Sequence, residues 1–142
     1  MTQGRAMSDF RDKWPEMRMK HLELVQNAVM RMGGNSAALK GYSMGITAAL
    51  IALAGAIDKP RILLLGLPII MVFAVLDATY LALERGFRNH YNELRLRELD
   101  SAPDFHVTTT GQVSAIKAFF SWSVIGFYGS AAVIMLAIWR VM

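Results

Sequence analysis

Hydrophobic residues along this chain are gathered into three long blocks, and the charged residues fall mostly between them. A bilayer core needs a helix of roughly 20 apolar residues, with a range of about 17–25, to cross it. Each block reaches that length, the first one with its flanking small residues included. The pattern therefore predicts three transmembrane helices, at residues 37–57, 62–84 and 113–140.

The segment before the first block has the mixed apolar and charged pattern of an amphipathic helix. Pro15 suits the start of that helix, because proline is well accommodated at the first helical position. Gly33 and Gly34 are expected to end it, since glycine commonly terminates helices. We therefore expect residues 1–36 to form a cytosolic amphipathic helix and residues 37–142 to form the membrane domain.

The second block passes into charged sequence with no proline to stop the helix, so its helix is predicted to continue past Leu83 to about Leu99. Residues 85–112 are accordingly predicted to be a cytosolic helix and loop. The fold expected from these elements is an all-α polytopic membrane protein with three transmembrane helices. It also has an N-terminal amphipathic helix and a cytosolic extension of the second span.

The distribution of charge predicts the orientation. The chain has 142 residues, 54% of them hydrophobic, and 15 lysines and arginines. Twelve of these 15 precede the first apolar block (residues 41–57) or separate the second block (62–83) from the third (118–139), and three lie on the opposite side. The positive-inside rule then places the N-terminus in the cytoplasm and the C-terminus on the opposite side of the membrane. The basic balance thus reports topology and contact with anionic lipid, and no nucleic-acid partner is expected.

A polar seam marks the end of the second span. At about 100° per residue, its six members fall within one arc of a helix. An ionisable side chain within a membrane segment is costly and usually faces protein or water with a partner. The seam is therefore expected to face protein rather than lipid. Its members are Asp77, Tyr80, Glu84, Arg88, Tyr91 and Arg95.

Asp77 admits two interpretations. It is either a proton or cation site, as in small coupled transporters, or a structural carboxylate bonded to Tyr80, a serine or an arginine. Glu84 and Arg88 have the i, i+4 spacing of a helical ion pair, which contributes only about 0.2–0.5 kcal/mol when exposed.

Four arginines follow the second span closely. Arg85, Arg88, Arg95 and Arg97 are either topology determinants in contact with lipid headgroups or contacts for a small anionic ligand.

Small residues form a face on two of the predicted spans. In lipid, small side chains let helix backbones approach closely, because packing rather than the hydrophobic effect drives association. Two such faces exceed what one internal helix pair needs, so a homo-oligomer is expected. The helix-packing residues are Gly41, Gly45, Ala48, Ala52, Gly126 and Ser130.

The sequence contains no recognisable motif for catalysis or for binding a metal or cofactor. The chain has no cysteine, and no catalytic, phosphate-binding or metal-ligand motif is found. His21, His90 and His106 have no metal-ligand spacing, and His90 is expected to be a surface residue. We therefore expect no enzyme, no catalytic residue, no metal site and no cofactor.

From Leu76 to Tyr91 the chain reads L-D-x-x-Y-L-x-x-E-R-x-F-R-x-x-Y. This pattern resembles the signature of an uncharacterised family of small bacterial membrane proteins, in which it lies at the cytoplasmic end of a transmembrane helix. The resemblance implies a bacterial inner-membrane protein encoded with defence or conflict systems, including antiviral ones. It implies no activity, ligand or catalytic residue.

Three functions remain open from the sequence. The leading hypothesis is an oligomeric inner-membrane effector that forms a pore or perturbs the membrane when a cytosolic signal arrives. The alternative is a non-conducting membrane anchor or accessory subunit for a cytosolic protein partner. The third is a small proton-coupled transporter that uses Asp77.

Overall fold

The chain folds into helices joined by short turns and one longer loop. The computed structural model describes residues 11–97, 104–111 and 114–142, and these residues contain no strand. Three of the helices are long and apolar enough to cross a membrane: the first, the second and the last. The predicted all-α fold with three candidate spans is therefore confirmed. The helices are α1 (Trp14–Ala56), α2 (Ile62–Leu96), α3 (Ala115–Phe119) and α4 (Trp122–Val141).

Helix α1 is one uninterrupted helix of 43 residues. The predicted helix end at Gly33 and Gly34 is therefore wrong. A glycine in a helix interior costs about 1 kcal/mol relative to alanine. Ending the helix there would instead leave several backbone groups without partners next to a membrane span, where each costs several kcal/mol. The cost of keeping two glycines inside the helix is therefore smaller than the cost of ending the helix there.

Helix α2 fulfils the prediction that the second span continues into charged sequence, and it includes Pro68 in its interior. It ends at Leu96 in the described residues, and the predicted end near Leu99 lies outside them. Between α1 and α2 the chain turns at Asp58, which adopts a positive φ of 53°.

The third span begins later than predicted. The expected start at residue 113 lies outside the described residues, and the chain forms the short helix α3 before the span. The Ser114 hydroxyl caps α3 by accepting a hydrogen bond from the Lys117 backbone N–H at 3.3 Å. Ser121 then takes an extended conformation ahead of α4, with φ −74° and ψ 150°. Both serines stand at N-cap positions, where serine is favoured, although the Ser121 hydroxyl makes no capping hydrogen bond in the described residues.

The chain divides into two compact units. The membrane unit comprises Met32–Ala82 and Ser114–Met142, and the loop unit comprises Met1–Arg31 and Leu83–Val113. The loop unit thus combines the N-terminal segment with the extension of the second span.

The three spans of the membrane unit pack closely at Gly66 of α2. A Cβ atom added there would lie 2.9 Å from Cδ1 of Leu50 on α1 and would overlap the Met135 side chain of α4. Met135 itself is 1% exposed. An added side chain would therefore require the ends of the Met135 and Leu50 side chains to shift.

In the loop unit, the buried residues repeat every three or four positions. His21, Val25 and Ala28 are buried on α1, and His90 and Leu94 are buried on α2. This spacing places each set on one side of its helix. The apolar part of this core is small, and two of its buried side chains are imidazoles.

Candidate functional site

The membrane unit contains a buried ion pair. Asp77 of α2 is fully buried, and its Oδ2 atom lies 2.5 Å from Nζ of Lys40 on α1. The Ser36 hydroxyl donates a hydrogen bond to the other carboxylate oxygen of Asp77, Oδ1. The Lys40 ammonium also donates to the Ser36 hydroxyl oxygen at 3.0 Å. Ser36, Lys40 and Asp77 form what we call the carboxylate cluster.

Helical spacing explains how α1 supplies both partners. Ser36 and Lys40 are four residues apart, so their side chains lie one above the other on the same side of the helix. The cluster is neutral in sum, and each carboxylate oxygen has a partner. Pairing and hydrogen bonding are the conditions under which a buried charge is tolerated.

Of the two interpretations of Asp77, this geometry matches the structural carboxylate. The serine expected as a partner is Ser36, and a lysine takes the place of the expected arginine. Tyr80 is partly buried and makes no hydrogen bond to Asp77 in the described residues. Tyr128 of α4 is 4% exposed, and its buried hydroxyl has no hydrogen-bond partner among the described residues.

The remaining seam residues belong to the loop unit. Arg88 Nη2 lies 2.7 Å from Glu84 Oε1, so the predicted i, i+4 ion pair is present. The Glu84 side chain is 13% exposed and that of Arg88 is 64% exposed. Tyr91 is partly buried and Arg95 is exposed. The seam therefore ranges from a fully buried carboxylate to a solvated arginine.

The four arginines after the span have different surroundings. Arg85, Arg88 and Arg95 are exposed. Arg97 pairs with Asp104, at 3.6 Å between Nη1 and Oδ2, and its backbone carbonyl accepts a hydrogen bond from the Arg18 guanidinium at 2.6 Å. Arg97 thus joins the two helices and the following loop.

Two buried histidines hold the loop of residues 104–111. The His106 backbone carbonyl accepts from Nε2 of His90 at 2.8 Å and from Nε2 of His21 at 3.1 Å. Because a carbonyl oxygen only accepts, both Nε2 atoms carry a hydrogen. His90 Nδ1 also lies 2.9 Å from the Thr110 hydroxyl oxygen. The expectation that His90 is a surface residue is wrong, since it is 5% exposed and His21 is 2% exposed.

The same loop has further attachments along its length. The Thr110 backbone N–H donates to the carbonyl of Gly86 at 3.2 Å. At the other end, the Asp104 carboxylate accepts from the His106 backbone N–H at 3.1 Å. This backbone hydrogen bond lowers the pKa of Asp104 below its usual range, with Arg97 acting in the same direction. Phe105 adopts a positive φ of 52° and lies beside the His21 ring, with centroids 5.6 Å apart.

Sequence reasoning missed Lys40, which it counted only toward topology, and the shared role of the histidines. The role of Lys40 could have been inferred from the i, i+4 spacing of Ser36 and Lys40 at the start of one span, together with the aspartate in the next span. No local pattern points to the second, because His21 and His90 are far apart in sequence and meet at a backbone carbonyl.

The small residues of α1 lie on its outer side within the membrane unit. Gly41, Gly45, Ala48 and Ala52 are all exposed. No described heavy atom lies within 4 Å of the place where a Cβ would stand on Gly41 or Gly45, apart from those of the local helix. At about 100° per residue, this face is opposite to the buried Ser43. We call these four residues the small face of α1.

The corresponding residues of α4 face open space or their own helix in the part of the chain that the structure describes. Gly126 is partly buried, but a Cβ there would meet only the Trp122 ring of the same helix, at 3.7 Å. Ser130 is exposed, and its hydroxyl donates to the Phe127 carbonyl of its own helix at 2.8 Å.

Comparison with protein-family models, with curated proteins and with solved structures finds no match.

Proposed function

We propose that this protein is a homo-oligomeric effector of the bacterial inner membrane, in which copies associate through the small face of α1. The observation that carries the proposal is that Gly41, Gly45, Ala48 and Ala52 are exposed and opposite to the side of α1 that packs within its own membrane unit. Close helix approach is the advantage that small residues provide in lipid, and a second copy supplies the missing helix.

The loop unit is the proposed receiver of the cytosolic signal. Its loop is attached to α1 and α2 because His21 and His90 donate hydrogen bonds to the His106 carbonyl and the Thr110 backbone N–H donates to the Gly86 carbonyl. Both helices pass without interruption from residues of the loop unit into residues of the membrane unit. A ligand or protein that changes these attachments thereby acts on helices that also carry the oligomer contact, which is the two-state element that such coupling requires.

The orientation in this proposal follows the charge asymmetry, with the N-terminus and the loop unit in the cytoplasm and the C-terminus in the periplasm. The resemblance of residues 76–91 to small bacterial membrane proteins agrees with this placement and with a role in defence.

The test combines assembly with membrane integrity. Gly45→Leu inserts a bulky side chain into the proposed contact, whereas Gly45→Ala keeps it small. We expect the wild type and Gly45→Ala to form oligomers in nanodiscs and to depolarise cells on induced expression, as measured with a membrane-potential dye. Gly45→Leu should be monomeric and inactive. Oligomers with no depolarisation or growth arrest under any trigger would count against the effector function.

A second candidate is a non-conducting anchor for a cytosolic partner, and the observation that favours it is the exposure of Arg85, Arg88 and Arg95 on the loop unit. Exposed arginines suit an acidic partner surface or a small anionic ligand. Stoichiometric co-purification of one partner, lost when Arg85 and Arg95 are replaced by glutamine, would favour the anchor over the effector.

The transporter hypothesis has less support. Both carboxylate oxygens of Asp77 have partners within the membrane unit, so a transported cation would have to displace Lys40 or Ser36. Proton-coupled uptake into liposomes that is lost in Asp77→Asn would restore this hypothesis.

A further inference from the structure

Two buried imidazoles of the loop unit share one hydrogen-bond acceptor. His21 of α1 and His90 of α2 both donate from Nε2 to the His106 carbonyl, at 3.1 and 2.8 Å. Their ring centroids are 6.0 Å apart, and the two residues are 2% and 5% exposed. Histidine is the side chain whose charge ordinarily changes between pH 5 and 8. The attachment of the loop therefore depends on how many protons this pair holds.

The attached loop accommodates one proton on the pair. His90 Nδ1 lies 2.9 Å from the Thr110 hydroxyl oxygen. A neutral Nδ1 accepts a hydrogen bond from that hydroxyl, and a protonated Nδ1 donates one to its oxygen, since a hydroxyl can take either role. Nε2 of His90 donates to the His106 carbonyl in both states. A single charge on His90 therefore costs no hydrogen bond.

A second proton is disfavoured as long as the loop stays attached. The two rings would then be cations with their centroids 6.0 Å apart. Like charges at this distance repel, and burial removes the water that would screen the repulsion. Both cations would also donate to the same carbonyl oxygen, so neither can move away without losing its hydrogen bond to the loop.

The surroundings offer little compensation for a second positive charge. The Asp104 carboxylate lies within electrostatic reach of His21, but it is already paired with Arg97. The two arginines nearby are permanent cations, and the glutamate one turn along α2 is exposed. The charged and titratable neighbours of the pair among the described residues are Arg18, Glu93, Arg97, Asp104 and His106.

We infer that the loop of residues 104–111 is attached in a pH-dependent way: one proton on the His21–His90 pair is compatible with attachment, and a second proton favours detachment. In the detached form both rings are in water and take up protons independently. That form therefore binds more protons at low pH, so attachment is strongest above the ordinary histidine pKa of about 6.5 and weakens below it. The inference concerns the loop unit alone and does not rest on self-association.

The experiment follows hydrogen exchange of the Thr110 amide in the full-length protein in nanodiscs. This amide donates to the Gly86 carbonyl, and its exchange reports openings of the loop even while the attached form predominates. Each rate is divided by that of an unprotected amide at the same pH. Between pH 7.5 and 5.5 we expect protection to fall about tenfold, the factor for uptake of one additional proton by an imidazole of ordinary pKa.

Glutamine variants separate the pair from other titrating groups, because glutamine keeps an N–H donor and takes up no proton. His21→Gln leaves only His90, whose charge the attached loop accommodates, so it should lose most of the fall in protection. His106→Gln is the matched control, since that exposed side chain is not one of the two donors, and it should keep the tenfold fall. Equal wild-type protection at both pH values, or a tenfold fall that persists in His21→Gln, would overturn the inference.

A measurement on the wild type needs no substitution. At pH 5.5 the imidazole nitrogen resonances of the attached form should show a charge on no more than one of His21 and His90. Charges on both rings while the Thr110 amide remains protected would overturn the inference, because the attached loop would then accept the second proton.

Discussion

The ammonium of Lys40 lies 2.5 Å from the Asp77 carboxylate, and the carboxylate is fully buried while the lysine side chain is 21% exposed. The two partners therefore respond differently when one is removed. An unpaired carboxylate at this position has no access to water, whereas an unpaired ammonium on a long side chain can reach toward the interface.

This asymmetry predicts an order of stabilities. Lys40→Met should destabilise the protein by about 3 kcal/mol, the lower end of the cost of leaving a buried charge unpaired. Asp77→Asn should cost less, because the amide keeps a hydrogen bond to Ser36 and Lys40 can reach water. Thermal unfolding in detergent measures both. The double variant Lys40→Met with Asp77→Leu should recover most of the loss, and a double variant less stable than Lys40→Met alone would contradict the pairing.

The Glu84–Arg88 pair serves as a comparison. Because the arginine is 64% exposed, Arg88→Ala should change stability by no more than about 0.5 kcal/mol. The seam hypothesis nevertheless expects it to impair function or assembly more than Arg97→Ala does. Equal behaviour of these two variants in the membrane-potential assay would remove the basis for treating the seam as one site.

The histidine attachments predict a local loosening of the loop. His90→Ala removes the hydrogen bonds to the His106 carbonyl and to Thr110, so the Thr110 amide should exchange with solvent at least about fivefold faster, as expected for a loss of roughly 1 kcal/mol. Hydrogen exchange measures this. His106→Ala is the control, because His21 and His90 bind the backbone carbonyl of residue 106 and not its side chain. The exchange rate of the Thr110 amide should therefore be unchanged in His106→Ala. Acceleration in His106→Ala of the size seen in His90→Ala would show that the imidazoles are not what holds the loop.

Asp104 predicts a dependence on pH. Its pKa is lowered in the folded protein by the hydrogen bond from the His106 N–H. A group with a depressed folded pKa stabilises the fold above its unfolded pKa, and this contribution is lost as the pH falls through the folded value. The His106 amide resonance should therefore keep its native position through the range where an ordinary aspartate titrates and should move only at lower pH. In Asp104→Asn this transition should vanish. A midpoint at or above the ordinary aspartate value would contradict the assignment.

Gly66 predicts a contrast between two glycines. Gly66→Leu should destabilise the membrane unit by about 1–3 kcal/mol, because the new side chain would collide with Met135 and Leu50. Gly45→Leu should leave the thermal stability of the monomer nearly unchanged, because the space around Gly45 is open. Melting temperatures of the two variants in the same detergent give the comparison. A loss in Gly45→Leu equal to that in Gly66→Leu would mean that the small face packs within one chain.

Local periodicity predicted much of this molecule. The three spans and the continuation of α2 follow from apolar length and from the lack of a helix breaker. The Glu84–Arg88 pair follows from i, i+4 spacing within one helix. In each case the information lies within a few consecutive turns, which is the range over which sequence patterns determine structure.

Features that join distant segments were not predictable in the same way. Lys40 and Ser36 meet Asp77 only because α1 packs beside α2, and His21 and His90 meet at a loop carbonyl. The helix end predicted at Gly33 and Gly34 was wrong, because the tendency of glycine to end a helix is small compared with the cooperative stability of a 43-residue helix.

The central claim, that copies meet through the small face of α1, is tested most directly by disulfide cross-linking in native membranes. The chain has no cysteine, so a single introduced thiol reports one position without background. We predict that Ala48→Cys forms a disulfide-linked dimer under mild oxidation, while Val72→Cys, at a 59% exposed position of α2, stays monomeric. Ala48→Cys that remains monomeric, or that cross-links no faster than Val72→Cys, would contradict the claim.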